Sequence, residues 1–405
     1  MSTVALESTA AEFPVLEREG LVYLDSGATS QKPRQVIEAM DDFLRHHNAS
    51  VHRGVYPLAV ESTDAYEGAR ARVAAFVGSS PRETVFTGNA TQAMNLVIQA
   101  WGRKHLQPGD RVVTTLMEHH SVAVPLKLIA DERGAELDVV GIDDEGRLRL
   151  DELDAALAKG PKFLAVVHVS NVLGTINPVE EIVRRAHAAG AVVLVDGSQA
   201  VPQIPVDVAR LGADFYAWTG HKAYGPTGIG ILHGTREALD DLPPLIGGGH
   251  MIASVSFDEI RFAEVPAKFE AGTAPIAEAV GLGAAIDWLG GLGMDAVRAH
   301  ERELVAYALE RLAEVPGLKV YGPHDVEERG AVVSFALDYA HPHDVADIIG
   351  RQVVCVRAGH HCAQPLMACL NVGATTRASF AVHNTCEDVD ALVAALGEVH
   401  RIFGD

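Results

Sequence analysis

The sequence predicts an α/β fold, in which helices flank a mostly parallel sheet and a smaller α+β domain follows. Two observations lead to this fold class. Apolar runs of strand length alternate with helical patterns up to about residue 233, and several of those runs end in polar loops. Strands that alternate with helices are typical of a parallel sheet covered on both faces. Beyond residue 230 the alternation stops, which indicates a second architecture.

The elements follow in chain order. Residues 1–20 are expected to form an arm that packs on the small domain, residues 21–285 the large domain and residues 286–405 the small domain. Predicted strands of the large domain occupy residues 21–24, 83–87, 111–116, 137–140, 163–169, 191–195, 213–218 and 229–233. Predicted helices occupy residues 33–46, 62–77, 93–101, 151–158 and 179–189, and another follows residue 121. A hairpin is expected near residue 252 and one long helix over 278–312. The small domain adds strands at 319–321, 331–337 and 353–357, and helices at 342–349 and 388–403.

Composition excludes several classes of function. The chain has 405 residues, 48% of them hydrophobic, and a net charge of −21. Phosphate contacts need clustered Lys and Arg, so we expect no nucleic-acid partner, and a polybasic membrane contact is excluded for the same reason. Apolar runs fall short of the ~20 residues that span a bilayer, and residues 1–19 do not read as a signal peptide. Four cysteines are too few for a disulfide framework, so we expect a cytoplasmic protein.

A single lysine lies in the glycine-rich turn 219–230, between two strand-like runs. Burial would lower the pKa of Lys222, and a neutral amine can form a Schiff base with an aldehyde. A solvated lysine in a flexible turn is the alternative. Asp196 ends an earlier buried strand, where it could simply cap a helix. Together the two residues indicate pyridoxal phosphate (PLP), whose pyridine nitrogen an acid keeps protonated.

Other strand ends carry polar residues that could complete such a site. Thr91 opens a helix directly after a strand, and Thr219 and His221 flank the lysine, so these three suit a phosphate cradle. Each of them alone could be an ordinary cap. His119 also follows a strand; it could be a loop residue or could stack on a cofactor ring and move protons.

The segment 356–365 combines Arg357, His360, His361 and Cys362. A zinc site and a surface loop with an apolar cysteine are the alternatives. The functional interpretation is a thiolate nucleophile on a mobile loop, because the neighbouring cations favour the ionised thiol. Arg377 enters a strand, where a bidentate clamp on the carboxylate of an amino-acid substrate is its natural use.

Segments spread over the chain resemble those of SufS-type (group II) cysteine desulfurases, which are PLP enzymes with the class V aminotransferase fold. The resemblance runs from about residue 12 to the end. The segment 357–362 is its most specific part, because other class V enzymes lack it. The remaining matching segments are 23–30, 51–54, 117–120, 195–199, 220–230, 269–273 and 377–380.

The resemblance implies the type I fold of PLP-dependent transferases, which is like that of aspartate aminotransferase, in a homodimer. Lys222 would carry PLP, Asp196 would pair with the pyridine nitrogen, Gln199 would bind the ring hydroxyl oxygen and His119 would stack on the ring. The phosphate would be held by Thr91, Thr219 and His221, with Ala90 beside them and Thr273 reaching in from the partner subunit. Family members often have threonine where Ala90 stands, which removes one hydroxyl here.

The resemblance also implies the substrate and the reaction. L-cysteine would become L-alanine, and Cys362 would attack the substrate sulfur and carry it as a persulfide. The sulfur would pass to a SufU- or SufE-type acceptor and the Suf machinery for iron–sulfur cluster assembly. The substrate-binding residues would be Asn171, Arg377, Arg357, His52 and Arg53.

His343 follows a proline at the start of a predicted helix, where ordinary capping is the simpler interpretation. In some relatives a histidine here takes the place of a zinc ligand of the SufU-type acceptor, so His343 is kept as a hypothesis. No other metal ligand is expected. The alternative functions are a selenocysteine lyase, another class V PLP lyase or aminotransferase, or a non-enzymatic metal-binding or scaffold protein.

Overall fold

The structure is a computed structural model that describes residues 9–404. Residues 1–8 of the predicted arm lie outside the described residues. In the first part of the chain the helices and strands are β1 (Val22–Tyr23), α1 (Arg34–Asp42), α2 (Pro57–Phe76), β2 (Thr84–Thr87), α3 (Ala90–His105), β3 (Arg111–Thr115), α4 (His120–Arg133), β4 (Glu136–Val140), α5 (Leu150–Leu157), β5 (Phe163–Val167), α6 (Val179–Ala188), β6 (Val192–Asp196), α7 (Val208–Leu211), β7 (Phe215–Thr219), β8 (Gly230–Gly234), α8 (Arg236–Asp241), β9 (Ile252–Val255) and β10 (Ile260–Phe262).

The remaining elements are α9 (Ile276–Leu292), α10 (Met294–Leu312), β11 (Leu318–Tyr321), β12 (Val332–Leu337), α11 (Pro342–Gly350), β13 (Val354–Cys355), β14 (Arg357–Gly359), α12 (Gln364–Cys369), β15 (Thr375–Ser379) and α13 (Cys386–Phe403).

A seven-stranded sheet in the order β2-β8-β7-β6-β5-β3-β4 forms the centre of the molecule. Strands β3 to β7 are mutually parallel, and β8 runs antiparallel to both of its neighbours. Strands β5 and β7 are buried along their whole length, because helices cover both faces of the sheet. The predicted mostly parallel α/β architecture is confirmed.

The predicted long helix over 278–312 is wrong in one respect, because the structure has two helices there. Gly293 separates α9 from α10 with φ of +82°, a conformation that glycine adopts without a steric penalty. The two helix axes are bent by 75°. Within residues 9–404 no single helix is long and apolar enough to cross a membrane, and only this bent pair together has the length and composition.

A four-stranded antiparallel sheet in the order β11-β12-β15-β14 forms the second core. The single strand predicted over 353–357 is instead two short strands. The first, β13, pairs with β1 near the N-terminus, and the second, β14, pairs with β15. The register places Arg357 directly opposite Arg377. The strand break therefore brings two arginines together at the edge of this sheet.

The described part of the N-terminal arm forms two short 3-10 turns. Phe13 is fully buried, and its ring lies 5.4 Å from the ring of Trp288 and 5.0 Å from that of His383. The Thr9 hydroxyl donates to the carbonyl of Val382 over 2.8 Å. The arm thus packs against both α9 and the segment after β15. The domain boundaries at residues 20 and 285 stay predictions.

Candidate active site

A cavity of about 460 Å³ lies where the carboxyl ends of β5, β6 and β7 meet the N-termini of α3 and α4. Polar ends of parallel strands converge at one edge of such a sheet, which is where open α/β sheets bind ligands. The segment around Cys362 and the two arginines of the small sheet form the other wall. The volume is within the range of small-molecule sites.

Lys222 ends a single 3-10 turn directly after β7 and lines the cavity. Desolvation lowers the pKa of Lys222 to about 8, against the opposing effect of Asp196. Asp196 is the last residue of β6 and is 4% exposed. One of its carboxylate oxygens accepts the N–H of Ser198 over 2.9 Å. The amine of Lys222 therefore becomes neutral at a lower pH than an ordinary lysine does, and a carboxylate lies close by.

His119 caps α4 and lines the same cavity. Its Nδ1 accepts the N–H of Ser121 over 3.0 Å. Burial and the charge of Lys222 lower the pKa of His119 to about 4, so the ring is neutral and carries its proton on Nε2. The Gln199 side-chain amide donates to the carbonyl of Gly27 over 2.7 Å, which holds that side chain against the cavity.

The predicted phosphate end is built on the start of α3. Ala90 and Thr91 open this helix, and the side chain of Asn89 caps it. The first N–H groups of a helix have no intrahelical partner and attract anions. The Thr219 hydroxyl is buried and has no hydrogen-bond partner among residues 9–404. His221 also lines the cavity, and burial lowers its pKa to about 4.

These residues fit PLP. The cavity combines a lysine of lowered pKa, a carboxylate, a neutral imidazole and a helix N-terminus beside an unpartnered hydroxyl. Close backbone packing holds the helix N-terminus in place. A Cβ on Gly230 would lie 2.2 Å from the carbonyl carbon of Asn89. Only a glycine at this position lets the start of α3 lie against β8.

Asn171 and Arg377 form the wall between the two sheets. Arg377 is buried, and its Nη1 donates to the carbonyl of Asn171 over 2.9 Å. Burial lowers the pKa of Arg377 to about 10. Its Nε and the side-chain oxygen of Asn171 are both buried without a partner in the described chain. An unpartnered donor on a buried guanidinium that lines a cavity suits a carboxylate ligand.

Cys362 lies at the mouth of the cavity with its side chain exposed. His361 and Cys362 have φ of +49° and +57°, which is unusual for residues other than glycine. Three contacts hold this conformation. The Cys362 carbonyl accepts the N–H of His120 over 2.7 Å, the His361 carbonyl accepts the Asn171 amide over 2.7 Å, and the His361 ring meets the Thr375 hydroxyl at 2.9 Å.

Some predicted residues lie apart from these. His343 does line the cavity. His52, Arg53 and Thr273 are not among the residues that line it in the described chain. His52 instead meets the carboxylate of Glu67 at 2.8 Å, and Thr273 is exposed. Within residues 9–404 no group of three or more His, Cys, Asp or Glu side chains is arranged to hold a metal ion.

The sequence reasoning gave no role to two carboxyl groups, one buried and one mostly shielded from solvent. Glu118 accepts hydrogen bonds from the Thr115 hydroxyl and the N–H of Val167, and burial raises its pKa to about 8. It ties the ends of β3 and β5 together beside His119. Asp25 contacts Arg357 and Arg377. An acidic residue within three positions of the end of a strand was the available signal in both cases.

The comparisons with known proteins agree with this geometry. The chain matches the family described as aminotransferase class-V over residues 22–392, and it therefore belongs to that family. A probable cysteine desulfurase of Streptomyces coelicolor is 50% identical over 98% of both chains. The structure is similar to an apo cysteine desulfurase from Thermococcus onnurineus NA1, with a TM-score of 0.94, 39% identity and 98% coverage of each chain.

A second solved structure is that of the cysteine desulfurase CsdA from Escherichia coli in an S-sulfonic acid form. It has a TM-score of 0.92 and 36% identity, and the match covers 100% of this chain and 99% of that one. Within the class V aminotransferases, the chain thus stands among the cysteine desulfurases, and the predicted fold and family are confirmed. The SufS-type assignment stays a prediction.

Proposed function

We propose that this protein is a PLP-dependent cysteine desulfurase that converts L-cysteine to L-alanine and carries the released sulfur as a persulfide on Cys362. One observation carries the proposal. A single cavity holds Lys222 and Asp196 at its base, a buried arginine in its wall and an exposed cysteine at its mouth. An aminotransferase or a simple lyase needs the first three groups but has no use for a nucleophilic thiol.

Lys222, Asp196, Gln199, His119, Thr91, Ala90, Thr219 and His221 would hold the cofactor. When bound, PLP withdraws electrons from the amino-acid substrate and so stabilises the charge left on carbon when a bond breaks. The lowered pKa of Lys222 leaves its amine able to take up and return the proton of the substrate Cα. Asp196 provides the negative charge that keeps the pyridine nitrogen protonated.

Arg377 and Asn171 would orient the substrate. The substrate carboxylate would accept from the unpartnered Nε of Arg377, while its amino group points toward Lys222. This orientation leaves the substrate side chain free to face the mouth of the cavity. Holding two reacting groups in the productive geometry supplies a large part of many catalysed rates.

Cys362 would complete the reaction as a thiolate. Its sulfur attacks the substrate Sγ, an S–S bond forms and the Cβ–Sγ bond breaks. The electron pair of that bond stays on Cβ, which takes up a proton to become the methyl group of alanine. The persulfide on Cys362 keeps the transferred sulfur. Atoms balance without any outside oxidant or reductant.

The test is the replacement Cys362→Ala, with Cys369→Ala as the matched control because that cysteine is also exposed but does not line the cavity in the described chain. In an assay with an added thiol, which reduces the persulfide and releases its outer sulfur as sulfide, we expect Cys362→Ala to abolish sulfide and alanine formation from L-cysteine while the cofactor absorbance stays intact. Cys369→Ala should behave like the wild type. Unchanged turnover of L-cysteine by Cys362→Ala would refute the persulfide role and favour another class V lyase.

The sulfur acceptor would be a protein of the SufU or SufE type that serves iron–sulfur cluster assembly. His343 lines the same cavity as Cys362, and its ring is stacked on that of His341 at 5.4 Å. This position suits the proposed exchange of a zinc ligand with a SufU-type acceptor. His343→Ala should lose acceptor stimulation but keep the basal rate; stimulation equal to wild type would reject the role.

The active form would be a homodimer in which Thr273 reaches the phosphate site of the partner. Exposed apolar side chains on and beside the β9–β10 hairpin support a covered surface nearby; they are Val255, Phe257, Ile260 and Phe262. Cys355, Cys362 and Cys369 are reduced thiols, which suits the expected cytoplasmic location.

A further inference from the structure

Asp25 lies two residues after β1 and faces the arginine pair of the small sheet. Both of its carboxylate oxygens accept from Arg357, one from Nε over 3.1 Å and the other from Nη2 over 2.8 Å. Its Oδ1 also meets Nη2 of Arg377 at 3.5 Å. The Asp25 side chain is 14% exposed, and in the described chain it is not among the residues that line the cavity.

The two arginines are therefore not equivalent. The planar fork of Arg357 that would bind a carboxylate is already taken by Asp25, and that hydrogen bond raises the pKa of Arg357. Arg377 contacts Asp25 only at its distal nitrogen, and its Nε is free of partners in residues 9–404. Both guanidinium groups line the cavity, but only Arg377 keeps an unused donor that is buried there.

The charges lead to the same distinction. Two guanidinium groups and one carboxylate leave a net charge of one positive unit at this wall, which one substrate carboxylate neutralises. A ligand with a second carboxylate would need a second free arginine fork. With Asp25 in place, that second carboxylate would compete with Asp25 for Arg357 and lie close to its negative charge.

We infer that Asp25 is a specificity-determining residue that holds Arg357 away from substrate, so that the site selects amino acids with one carboxylate over amino dicarboxylates. The inference rests on the proposed function only in assuming that the site binds an amino acid through Arg377. It adds a reason for two arginines at the site: one binds the carboxylate common to all amino acids, and its neighbour is neutralised. The site then accepts an uncharged side chain such as a thiol and disfavours a side chain that carries a carboxylate.

The test compares two amino acids that differ by one carboxylate on Cβ, L-aspartate and L-alanine, by calorimetric titration of the holoenzyme. The measured quantity is the ratio of the Kd for L-aspartate to the Kd for L-alanine. Asp25→Asn keeps the shape of the side chain but frees the Arg357 guanidinium, so we expect the ratio to fall by about tenfold. This effect is small for a pair of charged groups, because Arg357 is half-exposed and solvent weakens the interaction. Asp25→Glu, which keeps the charge, should stay near the wild-type ratio.

Two further variants locate the effect. The double variant Asp25→Asn/Arg357→Gln should return the ratio to the wild-type value, because the fork that binds the second carboxylate is gone. Asp154→Asn is the matched control. Both carboxylate oxygens of Asp154 also accept hydrogen bonds from an arginine, Arg185. In the described chain Asp154 does not line the cavity. This control should not change the ratio.

The outcomes separate the inference from the proposed function. If the wild-type holoenzyme binds neither probe, the amino-acid site and the proposed function fail. If it binds L-alanine and Asp25→Asn leaves the ratio unchanged, only the inference is overturned. Should Asp25→Asn fail to fold, Asp25→Ser takes its place, because it also removes the carboxylate that occupies Arg357. A fall in the ratio then supports the inference, and an unchanged ratio refutes it.

Discussion

The base and the mouth of the cavity are built in opposite ways. The base is formed by Lys222, Asp196 and Thr219 at the ends of long buried parallel strands, and by the start of α3. The mouth is formed by the short strand β14 and by a loop with two residues in the left-handed region. Asp196 and Thr219 are nearly inaccessible to solvent, while Cys362 is exposed and Arg357 is half-exposed.

The difference follows from the role that we propose for each part. A resident cofactor needs groups held in one arrangement, and backbone deep in a sheet provides that without further support. A thiol that accepts sulfur inside the cavity and gives it to another protein must be reachable from both sides. The backbone N–H of His120 and the side chains of Asn171 and Thr375 therefore hold the Cys362 loop, whereas strand pairing holds the base.

The largest effect is expected at the base. Lys222→Ala removes the amine that we propose binds PLP covalently, so turnover of L-cysteine should fall by at least about 10³-fold and borohydride should no longer fix the cofactor to the protein. Cys362→Ala, at the mouth, should lose turnover equally but keep the covalent cofactor. If Lys222→Ala keeps a borohydride-fixed cofactor, the assignment of the base is wrong.

A smaller effect is expected where the base depends on backbone packing. Gly230→Ala places a Cβ within 2.2 Å of Asn89 and 2.7 Å of the Ala90 nitrogen, so the start of α3 must shift. We expect the protein to lose about 1–3 kcal/mol of unfolding free energy. Affinity for PLP should fall about tenfold in equilibrium dialysis, equivalent to roughly 1.4 kcal/mol.

Gly397→Ala is the control for that substitution. Gly397 lies in α13 with no atom near the added Cβ in the described chain, so this change should stabilise the protein by up to about 1 kcal/mol and leave PLP affinity unchanged. Equal PLP affinities for Gly230→Ala and wild type would show that the start of α3 does not form the phosphate site.

The smallest expected effect is on the pH dependence of PLP capture. The pKa of Lys222 is lowered to about 8, so its neutral fraction grows as pH rises through that value. The rate at which the cofactor-free enzyme captures PLP should therefore rise from pH 7 and level off above about 9. Asp196 opposes the lowering, so Asp196→Asn should move the midpoint to lower pH. A midpoint near the ordinary lysine value of about 10.4 would contradict the buried lysine.

The base is also the part that local sequence could predict. The turn around Lys222, the acid at the end of a strand and the polar starts of α3 and α4 are each visible within a few residues. The alternation of strands and helices then requires their convergence, because parallel strands put their carboxyl ends on one edge. The prediction failed where one residue breaks a regular pattern, as Gly293 does in the helix predicted over 278–312.

Only the tertiary structure decided the contacts at the mouth of the cavity. The sequence by itself determined the fold class, the lysine–acid pair and the presence of a cysteine beside an arginine. The pairing of Arg357 opposite Arg377, the capture of Arg357 by Asp25 and the anchoring of the Cys362 loop by Asn171 and His120 join residues up to 332 positions apart. No local pattern encodes such contacts, because they depend on how two separately built sheets come together.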